Sequence, residues 1–137
     1  MKKLALTSSL DLKIEASVNP SESADSVKTA ITNVIQCSPE FRYGTRVLGR
    51  SVKSESLRAI YEQIRSRSAM GVLRRILINN RAVDSTWFLL NKQAAFTGIV
   101  VIIEEEQESP LGPIRVTLTC EEIDSVIDWL VPEKETT

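Results

Sequence analysis

The hydrophobic and polar positions at the start of the chain follow first the period of a strand and then that of a helix. Residues 12–18 are apolar at every second position, which predicts a half-buried strand that stops at Pro20. Residues 23–36 then carry apolar side chains at helical spacing, with Ser21 or Ser23 as the N-cap. The chain is therefore expected to open with a strand and an amphipathic helix.

A second strand is predicted over residues 41–50. Alternation along a strand sends every second side chain to the same face, unless a bulge intervenes near a glycine. Its even positions hold Arg42, Arg46 and Arg50, so three arginines are expected to share one face. This face is interpreted either as a phosphate-binding surface or as an ordinary solvated face.

Two helices are predicted between the second strand and the next apolar segment. The first begins at Ser54, a break follows near residues 68–71, and the second helix ends at Asn79-Asn80. The second helix carries Arg74 and Arg75 on its outward side.

Residues 86–98 combine aromatic side chains with a polar interruption. An apolar strand ends at Leu90, and a polar triplet follows: Asn91, Lys92 and Gln93. Asn91 can cap a short helix with its side-chain oxygen, and Gly98 suits the left-handed turn that ends one. The triplet is therefore expected at the lip of a sheet, as a structural elbow or as a binding edge.

The last third of the chain predicts two strands and a helix. Residues 99–103 form a continuous β-branched run, predicted as a central strand covered on both faces. Residues 114–118 alternate and are predicted to be its antiparallel partner, because the link is short. Residues 119–122 match a capping box, and an amphipathic helix follows over residues 123–130.

This order of elements predicts a two-layer α+β fold with a mostly antiparallel sheet and helices packed on one face. Residues 1–9 are expected to be a flexible arm, residues 10–132 a single domain, and residues 133–137 a disordered tail. The 137 residues can bury a core without metals or disulfides. Two distant cysteines, Cys37 and Cys120, and the lack of a long apolar run favour a cytoplasmic protein with reduced thiols and no membrane segment.

The net charge of −1 conceals a strong segregation of charge along the chain. Residues 42–81 contain ten basic and two acidic side chains, whereas residues 104–137 contain ten acidic and two basic ones. A basic segment can attract a phosphate backbone even on a neutral protein. Alternatively, the two segments pair with each other, within one chain or across a homodimer.

The residue content argues against catalysis and against a cofactor. The chain has no histidine, which removes the commonest general acid–base and most zinc sites. Its five glycines form no phosphate-binding motif. The acidic cluster over residues 104–108 lacks the fixed geometry of a metal site. A non-catalytic protein without a cofactor is expected.

The string over residues 88–95, Phe-Leu-Leu-Asn-Lys-Gln-Ala-Ala, with Gly98 after it, resembles the signature of an archaeal family of uncharacterised proteins. That family is filed under RNA binding and is distantly similar to a predicted exosome-associated protein. Further similarities lie at residues 18–20, 111–114 and 127–132, so the resemblance spans roughly residues 10 to 132 and is weakest over residues 64–72. It implies a small domain similar to the fifth protein of the large ribosomal subunit, and RNA contact.

RNA binding through a basic surface is the leading hypothesis, and a homodimeric or protein-interaction module is the alternative. The expected contact residues are the basic side chains of the second strand and second helix together with the polar triplet: Arg42, Arg46, Arg50, Arg74, Arg75, Asn91, Lys92 and Gln93. Aromatic side chains are few, and Trp87 is interpreted as a core anchor or as an exposed platform for base stacking. Backbone contacts are thus expected to outweigh base readout.

Overall fold

A computed structural model describes residues 1–133, which contain six strands and five α-helices. In chain order these are β1 (Asp11–Ser17), α1 (Ala24–Val34), β2 (Glu40–Arg42), β3 (Arg46–Ser51), α2 (Arg58–Ser66), α3 (Met70–Asn79), β4 (Ser85–Leu90), α4 (Lys92–Phe96), β5 (Ile102–Ile103), β6 (Ile114–Thr119) and α5 (Ile123–Leu130). Two short 3₁₀-helices cover Ser54–Leu57 and Glu106–Glu108.

The six strands form one antiparallel sheet in the order β2-β3-β1-β6-β4-β5. The first strand of the chain, β1, lies inside the sheet because it pairs with β3 on one side and with β6 on the other. The two edges are formed by β2 and β5, which are only three and two residues long.

The hydrophobic core lies on one face of this sheet. Every second side chain of β1, β6 and β4 points into it and is buried. Each helix adds buried side chains to the same cluster, among them Val27, Ile60, Leu73, Ala95 and Ile127. All five helices therefore cover the same face, and the prediction of an α+β fold with an antiparallel sheet is confirmed.

Local sequence signals explain where several helices begin and end. The Oγ of Ser23 accepts a hydrogen bond from the backbone N–H of Ser26 at 3.0 Å, so Ser23 is the N-cap of α1. Ser68 has a positive φ of 56°, which separates α2 from α3 at the predicted break. The second helix, α3, ends at Asn79 as predicted.

The prediction of a single strand over residues 41–50 is wrong. A turn at residues 43–45 divides the segment into β2 and β3, which pair as a hairpin with Arg42 opposite Arg46. Tyr43 and Gly44 have φ values of 60° and 69°, a left-handed conformation that reverses the chain. Directly opposed residues point to the same face of a sheet, so the hairpin still places Arg42 beside Arg46.

The prediction of a central strand over residues 99–103 is also wrong, because only Ile102 and Ile103 pair with the sheet, at its edge. The carbonyl of Val101 continues this pairing by accepting from Asn91 N–H at 3.0 Å, but one residue earlier the N–H of Val100 donates to the side chain of Gln63 at 2.7 Å. Accordingly β6 pairs with β1 and β4 and not with this segment.

The predicted capping box over residues 119–122 does not form, since Glu122 is the residue that flanks α5 and its side chain makes no cap bond. Its Oε1 instead accepts hydrogen bonds from the backbone N–H groups of Thr7 and Ser8, both at 2.7 Å. The hydroxyls of Ser8 and Thr7 donate to the same oxygen at 2.8 Å and 2.9 Å, and these four bonds, that of the Ser8 hydroxyl above all, lower the pKa of Glu122 to about 2. They attach part of the predicted arm to the start of α5.

The first residues of the chain lie near the end of α5. The indole N–H of Trp129 donates to the carbonyl of Lys2 at 2.6 Å, so the first residues also contact the end of α5. Of the predicted tail, Glu133 is described and lies 3.7 Å from Arg74, whereas residues 134–137 lie outside the described part of the chain.

Within residues 1–133, no helix combines the length and the apolar character that crossing a bilayer requires. Both cysteines are free thiols. Cys120 is buried, and Cys37 is half-buried, where burial raises the pKa of its thiol.

Candidate nucleic-acid interface

The face of the sheet opposite the helices carries alternating charged, polar and aromatic side chains. We call it the open face and define it by the outward residues of five strands: Asp11, Lys13, Glu15, Glu40, Arg42, Arg46, Leu48, Arg50, Arg115, Thr117, Ser85 and Trp87. The register sets Arg46 opposite Arg42 and Arg50 opposite Lys13. Basic side chains from three neighbouring strands thus lie side by side.

Four of the five basic side chains on the open face pair with carboxylates of the same face. Arg42 contacts Glu40 at 2.5 Å, and Arg50 contacts Asp11 at 3.6 Å. Glu15 serves two partners, Arg46 at 3.1 Å and Lys13 at 3.2 Å. The outward strand residues of the open face therefore comprise five cations and three carboxylates.

The fifth cation, Arg115, lies over an aromatic ring. Its guanidinium carbon is 4.1 Å from the centroid of the Trp87 ring, a cation–π contact. Glu15 is its direct neighbour across the β1–β6 pair, yet that carboxylate bonds to Lys13 and Arg46 instead. Among residues 1–133, Arg115 has no carboxylate oxygen within 4.0 Å of its guanidinium nitrogens.

A hollow of about 390 Å³ lies beside Arg115 on the open face. Arg46 and Arg115 line it together with Glu15 and Glu106, and its floor includes the buried side chain of Leu89. The backbone around Gly112 and Pro113 closes one side. The hollow thus has Arg46 of the hairpin and Arg115 in one lining.

The arginines of α3 occupy a different part of the molecule. Arg74 bonds to Asp128 at 2.8 Å and to the carbonyl of Val131 at 2.7 Å, and its side chain is only 19% exposed. Arg75 pairs with Glu104 and lines a cleft with Trp87, so it lies at the rim of the open face. With Arg81, which pairs with Asp124, three of the ten basic residues of the middle segment therefore pair with the acidic last third within one chain.

The three residues of the polar triplet differ in exposure: Lys92 is buried, Asn91 is half-buried and Gln93 is exposed. Asn91 Oδ1 accepts from the N–H of Ala94 at 2.9 Å and caps α4 as predicted. Gln93 accepts a hydrogen bond from the hydroxyl of Ser109 at 3.0 Å. Lys92 is 3% exposed.

Lys92 ties three separate segments together through its ammonium group. The Nζ donates to Glu22 at 2.8 Å and to the carbonyls of Ser17 and Leu111 at 2.9 Å and 2.6 Å. Burial would by itself raise the pKa of Glu22, but the bonds from Lys92 and Asn19 outweigh it and lower that pKa. With three acceptors, this buried lysine has a structural role, and its ammonium does not face the surrounding water.

Of the eight residues proposed from sequence, the structure brings Arg42, Arg46 and Arg50 together on the open face and places Arg75 at its rim. Arg74 and the polar triplet lie elsewhere. Sequence reasoning did not include Lys13 or Arg115 among the contact residues. Both residues alternate with buried residues of their strands, and this alternation in the sequence indicates that their side chains point away from the core. Only the strand order shows that they lie on the same face as the hairpin arginines.

The fold and this surface define a class of protein: an α+β domain whose antiparallel sheet has helices on one face and basic and aromatic side chains on the other. A family model described as RNA binding matches residues 11–120, and the chain belongs to that family. The family assignment made from the sequence is thereby confirmed.

Relatives and solved structures agree with this assignment. The chain is 36% identical to a UPF0201 protein of Sulfurisphaera tokodaii over 124 residues, covering 88% of this chain and 86% of the relative. It is 34% identical over 122 residues to a UPF0201 protein of Methanothermobacter thermautotrophicus, covering 89% and 91%. The crystal structure of a UPF0201 protein from Methanococcus jannaschii is similar with a TM-score of 0.74 at 26% identity, covering 91% of this chain and 95% of that one.

Proposed function

We propose that the protein binds RNA through the open face of its sheet. The observation that carries the proposal is the face opposite the five α-helices, where five of the outward strand residues are basic, three are acidic, and the basic Arg115 lies on Trp87. An RNA-binding surface usually combines basic side chains that neutralise phosphates with planar side chains on which unpaired bases stack. Membership of a family described as RNA binding supports the same function.

The ion pairs on the open face do not oppose phosphate binding. The paired arginines have side chains between 46% and 71% exposed, and exposed ion pairs contribute only about 0 to 1 kcal/mol. A phosphate can replace such a carboxylate partner at little cost. The proposed phosphate contacts are therefore Arg42, Arg46, Arg50 and Lys13, whereas Arg74 and Lys92 are excluded because their acceptors hold them in place.

The proposal is one of binding without catalysis, in the cytoplasm. We further propose that the domain uses its sheet as an RNA platform in the manner of a ribosomal-protein-like fold, similar to the fifth protein of the large subunit. The antiparallel sheet with helices on one face supports this similarity.

A homodimer is the second candidate, favoured by apolar side chains on the β2–β3 hairpin. Phe41 and Tyr43 are 43% and 79% exposed. Opposite charges give such a dimer less support, because Arg74, Arg75 and Arg81 pair with acidic residues of the last third within the chain. Light scattering of the wild type and of Phe41→Ser tests it: a dimer that the variant dissociates favours this candidate, and a monomeric wild type excludes it.

A salt titration tests RNA binding through phosphates. Affinity for a single-stranded RNA should fall with salt, with a log–log slope of roughly −0.7 for each phosphate contact, so three or four contacts give a slope of roughly −2 to −3. Fluorescence anisotropy with a labelled strand measures it. In Arg50→Gln the slope should become shallower by about 0.7, whereas Arg81→Gln, in the helix layer, should leave it unchanged. A wild type that shows no binding at low salt would reject the proposal.

A further inference from the structure

We propose that Trp87 and Arg115 form a stacking platform for one unpaired nucleobase, which makes unpaired RNA the preferred ligand. This inference rests on the proposed RNA-binding function and specifies its substrate class. In this arrangement the indole ring supports the guanidinium, and the base stacks on the outer side of the guanidinium plane. Arginine planes are established stacking partners of unpaired bases in RNA recognition.

The first support is that Arg115 is positioned by the ring and not by a carboxylate. Its guanidinium carbon is 4.1 Å from the Trp87 centroid, although Glu15 is its neighbour across the strand pair. Lys13 and Arg46 both bond to Glu15, at 3.2 Å and 3.1 Å, and so occupy that carboxylate. A guanidinium held only on a ring can receive a base without first losing an ion pair.

The second support is that the backbone of Trp87 is anchored in the sheet. It lies in β4, which pairs with both β6 and β5, and its carbonyl accepts a hydrogen bond from the side chain of Asn80 at 2.9 Å. Its neighbour Phe88 is fully buried in the core. The ring therefore projects from a rigid strand, and a rigid aromatic group costs little entropy when a ligand orders against it.

The third support is the position of the platform relative to the basic residues. Arg115 and Arg46 line one hollow on the open face. A base on the guanidinium would leave its ribose-phosphate beside this hollow, where Arg46 can contact the phosphate. In a duplex the bases are already stacked and paired, so the platform has no free base to receive. The arrangement therefore predicts preference for unpaired strands.

Fluorescence anisotropy with three labelled RNA ligands tests the platform: an oligoadenylate of about twelve nucleotides, an abasic strand of the same length and charge, and the corresponding duplex. The wild type should bind the base-bearing strand roughly 5- to 150-fold more tightly than the abasic one, the range that stacking of one base supplies. Arg115→Lys keeps the charge and loses the plane, so it should abolish this preference while affinity for the abasic strand stays unchanged. Arg58→Lys, the same substitution on α2 and outside the open face, should keep both the preference and the affinity.

Two contrary outcomes have different meanings. If the wild type binds the base-bearing and abasic strands equally, the platform is wrong and phosphate binding by the open face stands. If it binds none of the three ligands, RNA binding itself fails, and the platform fails with it.

Tryptophan fluorescence gives a second measurement. The chain has two tryptophans, so Trp129→Phe leaves Trp87 as the single reporter. Oligoadenylate should quench the fluorescence of this variant and the abasic strand should not. Quenching by neither strand, in a variant that binds oligoadenylate, would overturn the platform.

Discussion

The helix layer and the open face both carry several basic side chains, but the surroundings of those side chains differ. In the helix layer Arg74 is 19% exposed and bonds to a carboxylate and a carbonyl, and Lys92 is buried with three acceptors. On the open face Arg42, Arg46 and Arg50 are about half exposed or more, and each has a single carboxylate partner. The number of basic residues in a segment of the sequence therefore does not show how many of them are accessible to a ligand.

The free energies of exposed and buried ion pairs also differ. Exposed ion pairs contribute about 0 to 1 kcal/mol, whereas breaking a buried pair costs about 3 to 5 kcal/mol because one charge is left without a partner. The basic residues of the open face can therefore exchange partners, and those inside the helix layer cannot. Three predictions test this contrast, beginning with the largest expected effect.

Replacing Lys92 by Met should lower the free energy of unfolding by about 3 kcal/mol or more, because Glu22 would lose its partner in a largely buried position. Urea unfolding measures this change. Lys53→Met, at an exposed position, is the control and should change stability by less than about 0.5 kcal/mol. The double variant Lys92→Met/Glu22→Met should recover part of the loss. A decrease below about 1 kcal/mol would mean that Lys92 is not a structural cation.

Reversing one charge on the open face should reduce RNA affinity roughly tenfold or more, because Arg46→Glu removes a phosphate contact and adds a repulsion. Arg58→Glu is the matched control: Arg58 lies on α2, is similarly exposed and also has a carboxylate partner, Glu62. This control should bind RNA like the wild type. Anisotropy titrations compare the two, and circular dichroism checks that both fold. Equal losses in the two variants would show that binding follows net charge and not the open face.

The smallest effect concerns pH. The pKa of Glu122 is lowered from 4.5 to about 2 by hydrogen bonds from Ser8 and Thr7. A lowered pKa in the folded state means that its stabilisation is complete above pH 4.5 and is lost as the pH falls towards 2. The difference in thermal midpoint between wild type and Glu122→Gln should therefore be largest above pH 5 and shrink as the pH falls. A difference that stays constant over this range would contradict the assignment.

Local patterns predicted much of the fold because they depend on neighbouring residues. The Ser23 cap, the break near Ser68 and the helix after Glu122 follow from capping and periodicity, and all three lie where the sequence placed them. The run at residues 99–103 was misassigned because contacts from distant residues decide its conformation. The side chain of Gln63 accepts the N–H of Val100, a backbone group that a longer strand could have used.

The sequence likewise predicted only part of the candidate site. Alternation placed Arg42, Arg46 and Arg50 on one face, and the hairpin register preserves that arrangement despite the turn. The burial of Lys92 could not be inferred, because its acceptors come from Ser17, Glu22 and Leu111, segments far from it in sequence. The Trp87–Arg115 contact likewise depends on β4 and β6 being neighbours in the sheet. Hydrophobic periodicity predicts the strands but not their order.

The inner position of β1 also has a consequence for how the chain folds. Asp11 pairs with Thr119, so the middle of the sheet joins residues from nearly opposite ends of the sequence. During synthesis, β1 and its neighbour β3 leave the ribosome long before β6, and the gap beside β1 stays open until β6 arrives. Such long-range pairing slows folding and leaves an unpaired strand temporarily accessible to other chains. Completion of the sheet is therefore expected to be a late event, after the C-terminal strand has emerged.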